Sequence, residues 1–450
     1  MNVSVHHNDT SLMYNISLFF ISLSVNFILL LLFLTFNNHN LLYFIFLLGI
    51  AYDMLIFVKI KNIYPLFIIT IFIILMDFYL SLYLFFGIKL SSPDYYNYYN
   101  EENIFKYILV VNLFKISFYH FLKVPTKYIP IRLKIKKYRS PTLFNILYVT
   151  TLLLVLFGFK GTIIYSQTNV YRSYVENLSH VSGLPEYLII IYIFLWLFET
   201  KKYQKLMIIF LFILMIIKLF LLGFRVQMMM YIFLFYILYI DGLVKLMGII
   251  LSSTIGYFIF YIYGFIKEYG IEYIFSINLS EINLIGENVE NTGFVLSQFS
   301  GVITSSLTII AKLGLENSLI SLVGFILNII IPPRILDLFI PQATIPAFVV
   351  NYITHIPGGE YFPIPFYIWF GFLGPILFGI FLAKVINKTL NNYNNNFVFI
   401  YFVMIFSTFP RWLFYTQTDY LFRMPIMLAT LLGIYGIFRK AFQNRKLGEY

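Results

Sequence analysis

Leu41–Phe86 reads LLYFIFLLGIAYDMLIFVKIKNIYPLFIITIFIILMDFYLSLYLFF. Two apolar blocks, 41–58 and 65–86, are parted by a short polar connector that carries Lys59 and Lys61, and each block holds a single acid, Asp53 or Asp77. Each approaches the roughly 20 residues a helix needs to cross the hydrocarbon of a bilayer. The same rhythm runs outward in both directions. Before the pair stands 16–36; after it come 104–122, 142–164, 186–198, 206–224, 226–240 and 246–264, and, beyond a long interruption, 366–383, 397–410 and 424–438. The pattern predicts an all-α polytopic membrane protein, one integral membrane domain over 1–450 with about twelve transmembrane helices. Composition agrees. Residues are 60% hydrophobic and 11% charged, with mean hydropathy +0.84, too little charge to cover the surface of a soluble domain. The start, MNVSVHHNDTSLMYN, has neither a basic n-region nor a small-residue cleavage site, so the first block is read as a retained helix.

Basic residues test the map, because lysine and arginine collect in cytoplasmic loops. With the N-terminus inside, Lys59 and Lys61 fall in one cytoplasmic loop, and the run from Lys123 to Arg139 falls in the next. Lys201, Lys202 and Lys205 follow, then Lys245, then Lys384 and Lys388, and finally Arg439, Lys440, Arg445 and Lys446. This alternation places both termini in the cytoplasm. The net charge of +11 therefore marks topology and contact with anionic headgroups, and no nucleic-acid partner is expected.

The interruption at 265–365 is predicted to be a large extracytoplasmic loop. It contains a hairpin at 293–332 made of GFVLSQFSGVITSSLTIIAKLG and SLISLVGFILNIIIPP, joined by LEN. Crossing by both arms would raise the count to fourteen spans. The re-entrant or interfacial alternative is preferred, because Ser297, Gln298, Ser300, Thr304, Ser305, Ser306 and Lys312 make the first arm polar for lipid.

Ionisable groups near a membrane face are the natural candidates for chemistry. Arg225, Arg334, Arg411 and Arg423 fall on the outer side, where arginine should be scarce. A guanidinium is permanently charged and its planar fork matches phosphate oxygens, so an anionic, lipid-linked substrate is one reading. Snorkelling, or pairing with Asp337 or Asp419, is the other. His355 lies in the Pro/Gly-rich segment NYITHIPGGEYFPIPF with Glu360. An imidazole there serves either as a general base or as a solvated loop residue. Within spans, Asp53, Asp77, Lys115 and Lys218 suit either a proton or ion pathway or a buried Asp–Lys pair. There is no cysteine, no Asp-x-Asp, no Walker A loop and no HExxH, and tryptophan occurs only three times. Thiolate metal sites, nucleotide-driven pumps and metal–nucleotide-sugar transferases are thereby disfavoured, and no metal or cofactor is expected.

Two stretches carry a family resemblance. THIPGGEYFPIPFYIWFGFLGPILFGIFLAKVI leads a Gly-rich, Pro-containing segment into an aromatic–Gly–x–x–Gly span at Phe370-Gly371-Phe372-Leu373-Gly374, and KLFLLGFRVQMM holds Gly223 and Arg225 in a Gly-x-Arg element. With the many spans, the basic cytoplasmic end and the late outer loop, the chain resembles the bacterial oligosaccharide repeat-unit polymerases, the Wzy or O-antigen polymerase group. Relatives often carry an acid a few positions before the aromatic–Gly pair, whereas Pro365 stands near that place here. The resemblance implies a GT-C-like architecture in the bacterial inner (cytoplasmic) membrane and a metal-independent glycosyltransferase. That enzyme would polymerise undecaprenyl-diphosphate-linked donor and acceptor units into O-antigen or capsular polysaccharide on the outer face, without a cofactor, with a polysaccharide chain-length regulator as a partner. It assigns Arg225, Arg334, Arg411 and Arg423 to the diphosphate and His355, with Glu360 second to it, to the catalytic base. The competing classes are a lipid-linked oligosaccharide flippase or other secondary transporter built on Asp53, Asp77 and Lys115, and a membrane acyltransferase with His120 as its only in-span histidine.

Overall fold

The structure is a computed structural model that describes residues 5–36, 38–90, 93–124, 137–159, 184–243, 298–312, 315–331, 361–391, 396–414 and 421–427, with a few isolated positions elsewhere. Among the described residues the chain is all-helical, with no strand. Among the described residues, six helices are long and apolar enough to cross a membrane: α1 (Val5–Phe36), α2 (His39–Ile60), α3 (Tyr64–Phe86), α4 (Glu101–Phe121), α7 (Lys202–Leu221) and α12 (Leu373–Asn391). Shorter apolar helices stand between them: α5 (Pro141–Phe157), α6 (Leu184–Phe198), α8 (Arg225–Phe235), α9 (Gln298–Lys312), α10 (Leu315–Ile330), α11 (Ile364–Phe370), α13 (Asn396–Ser407) and α14 (Phe409–Phe414). Phe20, Leu31, Leu34, Leu47, Val58 and Leu206 are each more than half exposed. Apolar faces this extensive belong against lipid, since water-soluble proteins rarely leave patches beyond a few hundred Å² uncovered. This is a membrane protein.

The helices fall into two compact units. The first holds α1–α4, α9–α12 and residues 412–417. Its axis is α4, on which every residue from Asn103 to Phe118 except Lys106 is buried. Local signals set the ends of these helices. Asn100 accepts from the Asn103 N–H at 2.8 Å and Glu101 and Glu102 occupy the first turn of α4, so a side-chain cap and two acids meet the positive end of the helix. Pro65 opens α3, and Gly87 closes it at φ 65 with its N–H on the Leu82 and Tyr83 carbonyls. The helix α12 lies along α4 at Gly379, where an added Cβ would stand 2.7 Å from the Phe114 carbonyl oxygen and 3.1 Å from the Phe118 nitrogen. Only glycine lets the two backbones come that close.

The aromatic–Gly–x–x–Gly motif has a physical cause that differs from the single predicted span at 366–383. The chain breaks there: α11 ends at Phe370, Gly371 adopts φ 59 and ψ −150, and α12 begins at Leu373. That backbone region is essentially reserved for glycine. The turn brings Gly374 against the Phe366 carbonyl, leaving no room for a Cβ, while Phe366 stacks on Phe378 at a centroid distance of 3.9 Å. The membrane-length helix is therefore 373–391, displaced towards the C-terminus.

Polarity in the first hairpin arm is also explained. Ser300, Thr304, Ser305, Ser306 and Thr308 of α9 are all buried, in a helix packed against α3, α4 and α11. The Thr304 and Ser306 hydroxyls bond back to the Ser300 and Val302 carbonyls, at 2.8 and 2.7 Å. Tyr99 Oη meets Thr304 Oγ1 at 2.6 Å, and the Tyr361 N–H donates to Ser306 Oγ at 2.9 Å. These hydroxyls face protein, so their presence is no argument about lipid. Small hydroxylated residues allow close helix approach. Here the hydroxyls of Thr304, Ser306 and Thr308 are held by such bonds, while Ser305 Oγ is buried without a hydrogen-bond partner among the described residues.

The second unit holds α5–α8, α13 and the helical residues 421–427. Its core is α6, buried from Pro185 to Phe198 except at Tyr187, Ile191 and Phe194. Tyr192 donates to the Leu211 carbonyl at 2.9 Å and Tyr231 to the Pro185 carbonyl at 2.6 Å, which ties α7 and α8 to it through buried phenols.

Candidate functional site

At the N-terminal end of α6, Glu186 and Tyr187 gather arginines from distant parts of the chain. Glu186 is 2% exposed. Its Oε1 accepts from Arg411 Nε at 2.5 Å and from Arg411 Nη2, and the Gln227 amide donates to the same oxygen at 3.1 Å. On the adjacent residue, Tyr187 Oη accepts from Arg423 Nη1 at 3.4 Å. Arg225 opens α8 half a turn before Gln227. Arg225, Arg411 and Arg423 thus converge on one end of the unit, where α6 and α8 both begin. A helix start carries roughly half a positive charge, which adds to the guanidinium groups. A guanidinium in such a place can meet an anion both through its permanent charge and through its planar fork of donors.

The opposite end of α6 has another character. Lys137 pairs with Glu199 at 3.1 Å and lies over the Trp196 ring, and Tyr239 donates to Glu199 at 2.9 Å. Lys201 and Lys205 are exposed there. Arginines at one end and lysines at the other lie about 22 Å apart along this 15-residue helix.

The first unit contains a buried charge cluster. Lys115 of α4 donates to Asp53 Oδ2 of α2 at 2.8 Å and to Asp77 Oδ2 of α3. Lys115 is 1% exposed, Asp53 2% and Asp77 9%. The sequence leaves a pathway and a buried pair as alternatives; the structure makes the group a triad, two carboxylates on one ammonium. Asp53 Oδ1 is buried without a hydrogen-bond partner among the described residues. The phenols of Tyr107 and Tyr361, both buried, stand within electrostatic reach of Asp77.

No known protein family, curated protein or solved structure matches the chain.

Of the residues singled out in the sequence, Arg225, Arg411 and Arg423 are brought together, while Arg334, His355 and Glu360 lie outside the described residues. So do Asp337 and Asp419, the acids to which pairing was ascribed. Arg411 is paired with Glu186, an acid that the sequence does not single out. Its signal was an acid at the head of an otherwise apolar run, LPEYLIII, the kind of in-span charge that marks a partner. Lys218 has a local role: its Nζ donates to the Val155 and Leu156 carbonyls at 2.6 and 3.1 Å, on the C-terminal turn of α5. Among the described residues no group of three or more His, Cys, Asp and Glu is placed to hold a metal ion.

Proposed function

We propose that the protein is a membrane glycosyltransferase that polymerises undecaprenyl-diphosphate-linked oligosaccharide units into O-antigen or capsular polysaccharide. The observation that supports this reading is the meeting of Arg411 with Glu186 and of Arg423 with Tyr187 at the start of α6, with Arg225 at the start of α8, two residues before the Gln227 that also bonds Glu186. When a glycosyl bond to a diphosphate breaks, negative charge grows on the leaving group. Fixed guanidinium groups stabilise that charge without having to reorganise. Glu186 holds one guanidinium in place, which costs some of its charge but fixes its direction. His355, or Glu360 after it, is the proposed base that takes the proton from the acceptor hydroxyl. On this reading the chain has about twelve spans in a GT-C-like arrangement. Both termini are cytoplasmic, and the arginine end faces the outside of the inner membrane, beside the 265–365 loop. A chain-length regulator is the proposed partner.

In a strain lacking the protein, surface polysaccharide resolved by size should collapse to a lipid core bearing one repeat unit. Complementation with Arg225→Lys or Arg423→Lys, at wild-type membrane levels, should leave that collapse largely in place. Loss of one preorganised donor to a developing anion typically costs about 10²–10³ in rate. A full-length ladder from both lysine variants would refute the guanidinium–diphosphate assignment.

The Asp53–Lys115–Asp77 triad supports a second reading, a lipid-linked oligosaccharide flippase or other secondary transporter that couples to a proton or cation. The same deletion strain separates the two. A flippase defect leaves no repeat unit at the surface, whereas a polymerase defect leaves exactly one per core.

A further inference from the structure

We propose that the cavity where the C-terminal ends of α2 and α4 meet the side of α1 is a binding site for the phosphate of an anionic lipid headgroup. The cavity measures about 490 Å³, within the size range of small-molecule sites. Lys59, Lys61 and Asn62 reach it from the end of α2, and His120 and Lys123 from the end of α4. Among the described residues, none of those lining it is an acid.

Charge decides what it holds. The carbonyl ends of α2 and α4 face this region, and Lys59 Nζ donates to the Tyr119 carbonyl at 2.5 Å. A helix C-terminus carries roughly half a negative charge, so two of them offset about one of the three ammonium charges. About two positive charges remain, more than enough to neutralise the single negative charge of a phosphodiester headgroup. His120 supplies a second, independent sign of a ligand. Its Nε2 is buried without a hydrogen-bond partner among the described residues. The ring is held edge-on against Phe19, Tyr52 and Tyr119, with centroids at 5.9, 6.5 and 5.1 Å. It is therefore fixed in orientation while one polar atom stays unused.

The rim selects lipid over free phosphate. Ile16 and Val58 line the cavity and are 40% and 61% exposed, on faces of α1 and α2 that continue into the apolar surface. A phosphate carried on acyl chains fills both the basic floor and this apolar edge. Basic pockets between transmembrane helices are a recurrent setting for such headgroups. Lys59, Lys61 and Lys123 also lie in the loops that the lysine bias assigns to one side, that of the anionic inner leaflet.

The test uses the full-length protein in nanodiscs of phosphatidylcholine with and without phosphatidylglycerol. Retained lipid is read by native mass spectrometry. The triple variant Lys59→Gln/Lys61→Gln/Lys123→Gln should weaken phosphatidylglycerol retention by roughly a hundredfold, since each lysine near an anionic surface contributes about a factor of five. A variant with the same loss of charge elsewhere, Lys201→Gln/Lys202→Gln/Lys205→Gln, should retain it as wild type does, and both should match wild type in thermal unfolding in phosphatidylcholine alone. His120→Gln, which keeps a polar group at the wall, should weaken retention without removing it. Equal retention by wild type and the first triple variant overturns the site. Equal loss in both triple variants reduces it to general charge attraction and overturns it too. Displacement of phosphatidylglycerol by millimolar inorganic phosphate would make free phosphate the ligand and overturn the lipid assignment.

Discussion

Replacing Lys115 by methionine is expected to destabilise the first unit by about 3–5 kcal/mol, the usual cost of removing one partner from a buried ion pair. Methionine fills the space of the lysine stem, so the loss is one of charge rather than volume. It leaves Asp53 and Asp77 together, buried, without the ammonium that both carboxylates contact. Neutralising one acid should behave differently. Asp53→Asn keeps an oxygen for Lys115 and leaves a one-to-one pair with Asp77, so its expected cost is about 1 kcal/mol, the net worth of a typical hydrogen bond. Adding Asp53→Asn and Asp77→Asn to Lys115→Met should recover most of the lost stability, since no unpaired charge then remains. Unfolding midpoints of the four proteins in one detergent check this. If Lys115→Met unfolds no earlier than Asp53→Asn, the ammonium is not what holds the cluster together.

Gly374→Ala is expected to cost about 1–3 kcal/mol or more, the range for overpacking a close-packed site. The new Cβ meets the Phe366 carbonyl and the backbone around it. A side chain in that place could rotate away; a backbone cannot, so the α11–α12 turn must open and the Phe366–Phe378 stack must loosen. Gly371→Ala, at φ 59 and ψ −150, adds strain of about 1–3 kcal/mol by another route, through conformation rather than contact. Gly301 of α9 provides the contrast within the same unit. Nothing lies within 4 Å of a Cβ there, so Gly301→Ala should be neutral or stabilising by up to about 1 kcal/mol through helix propensity. Thermal unfolding of the three variants distinguishes them, and equal midpoints would show that close approach at residue 374 is not a constraint.

The long helices were legible because their cause is local. A run of apolar residues at membrane length has one stable solution in lipid, a helix with every backbone hydrogen bond made internally. Accordingly 16–36, 41–58, 65–86 and 104–122 fall within or nearly match α1–α4. Ends were less legible where sterics overrode hydropathy. The apolar run through 366–383 gives no hint that Gly371 breaks it, because the break depends on a backbone angle and on Phe366 returning against Gly374. The polarity of α9 was ambiguous in the sequence for the same kind of reason. Composition counts hydroxyls, while only the packing tells whether they face lipid or a tyrosine on another element.

By itself the sequence determined that this is a helical membrane protein, that its lysines and arginines are unevenly placed, and that Asp53, Asp77, Lys115 and the arginines are the charges needing explanation. Those properties follow from the free energy of moving each side chain from water into hydrocarbon, which residue type largely sets. The tertiary structure decided which charges meet: Lys115 with two acids from two helices, and Arg411 with Glu186 across more than two hundred positions of chain. Ion pairing in a medium of low dielectric depends on separations of a few ångströms. Such separations between helices are set by glycines, small hydroxyls and aromatic stacking, not by spacing along the chain.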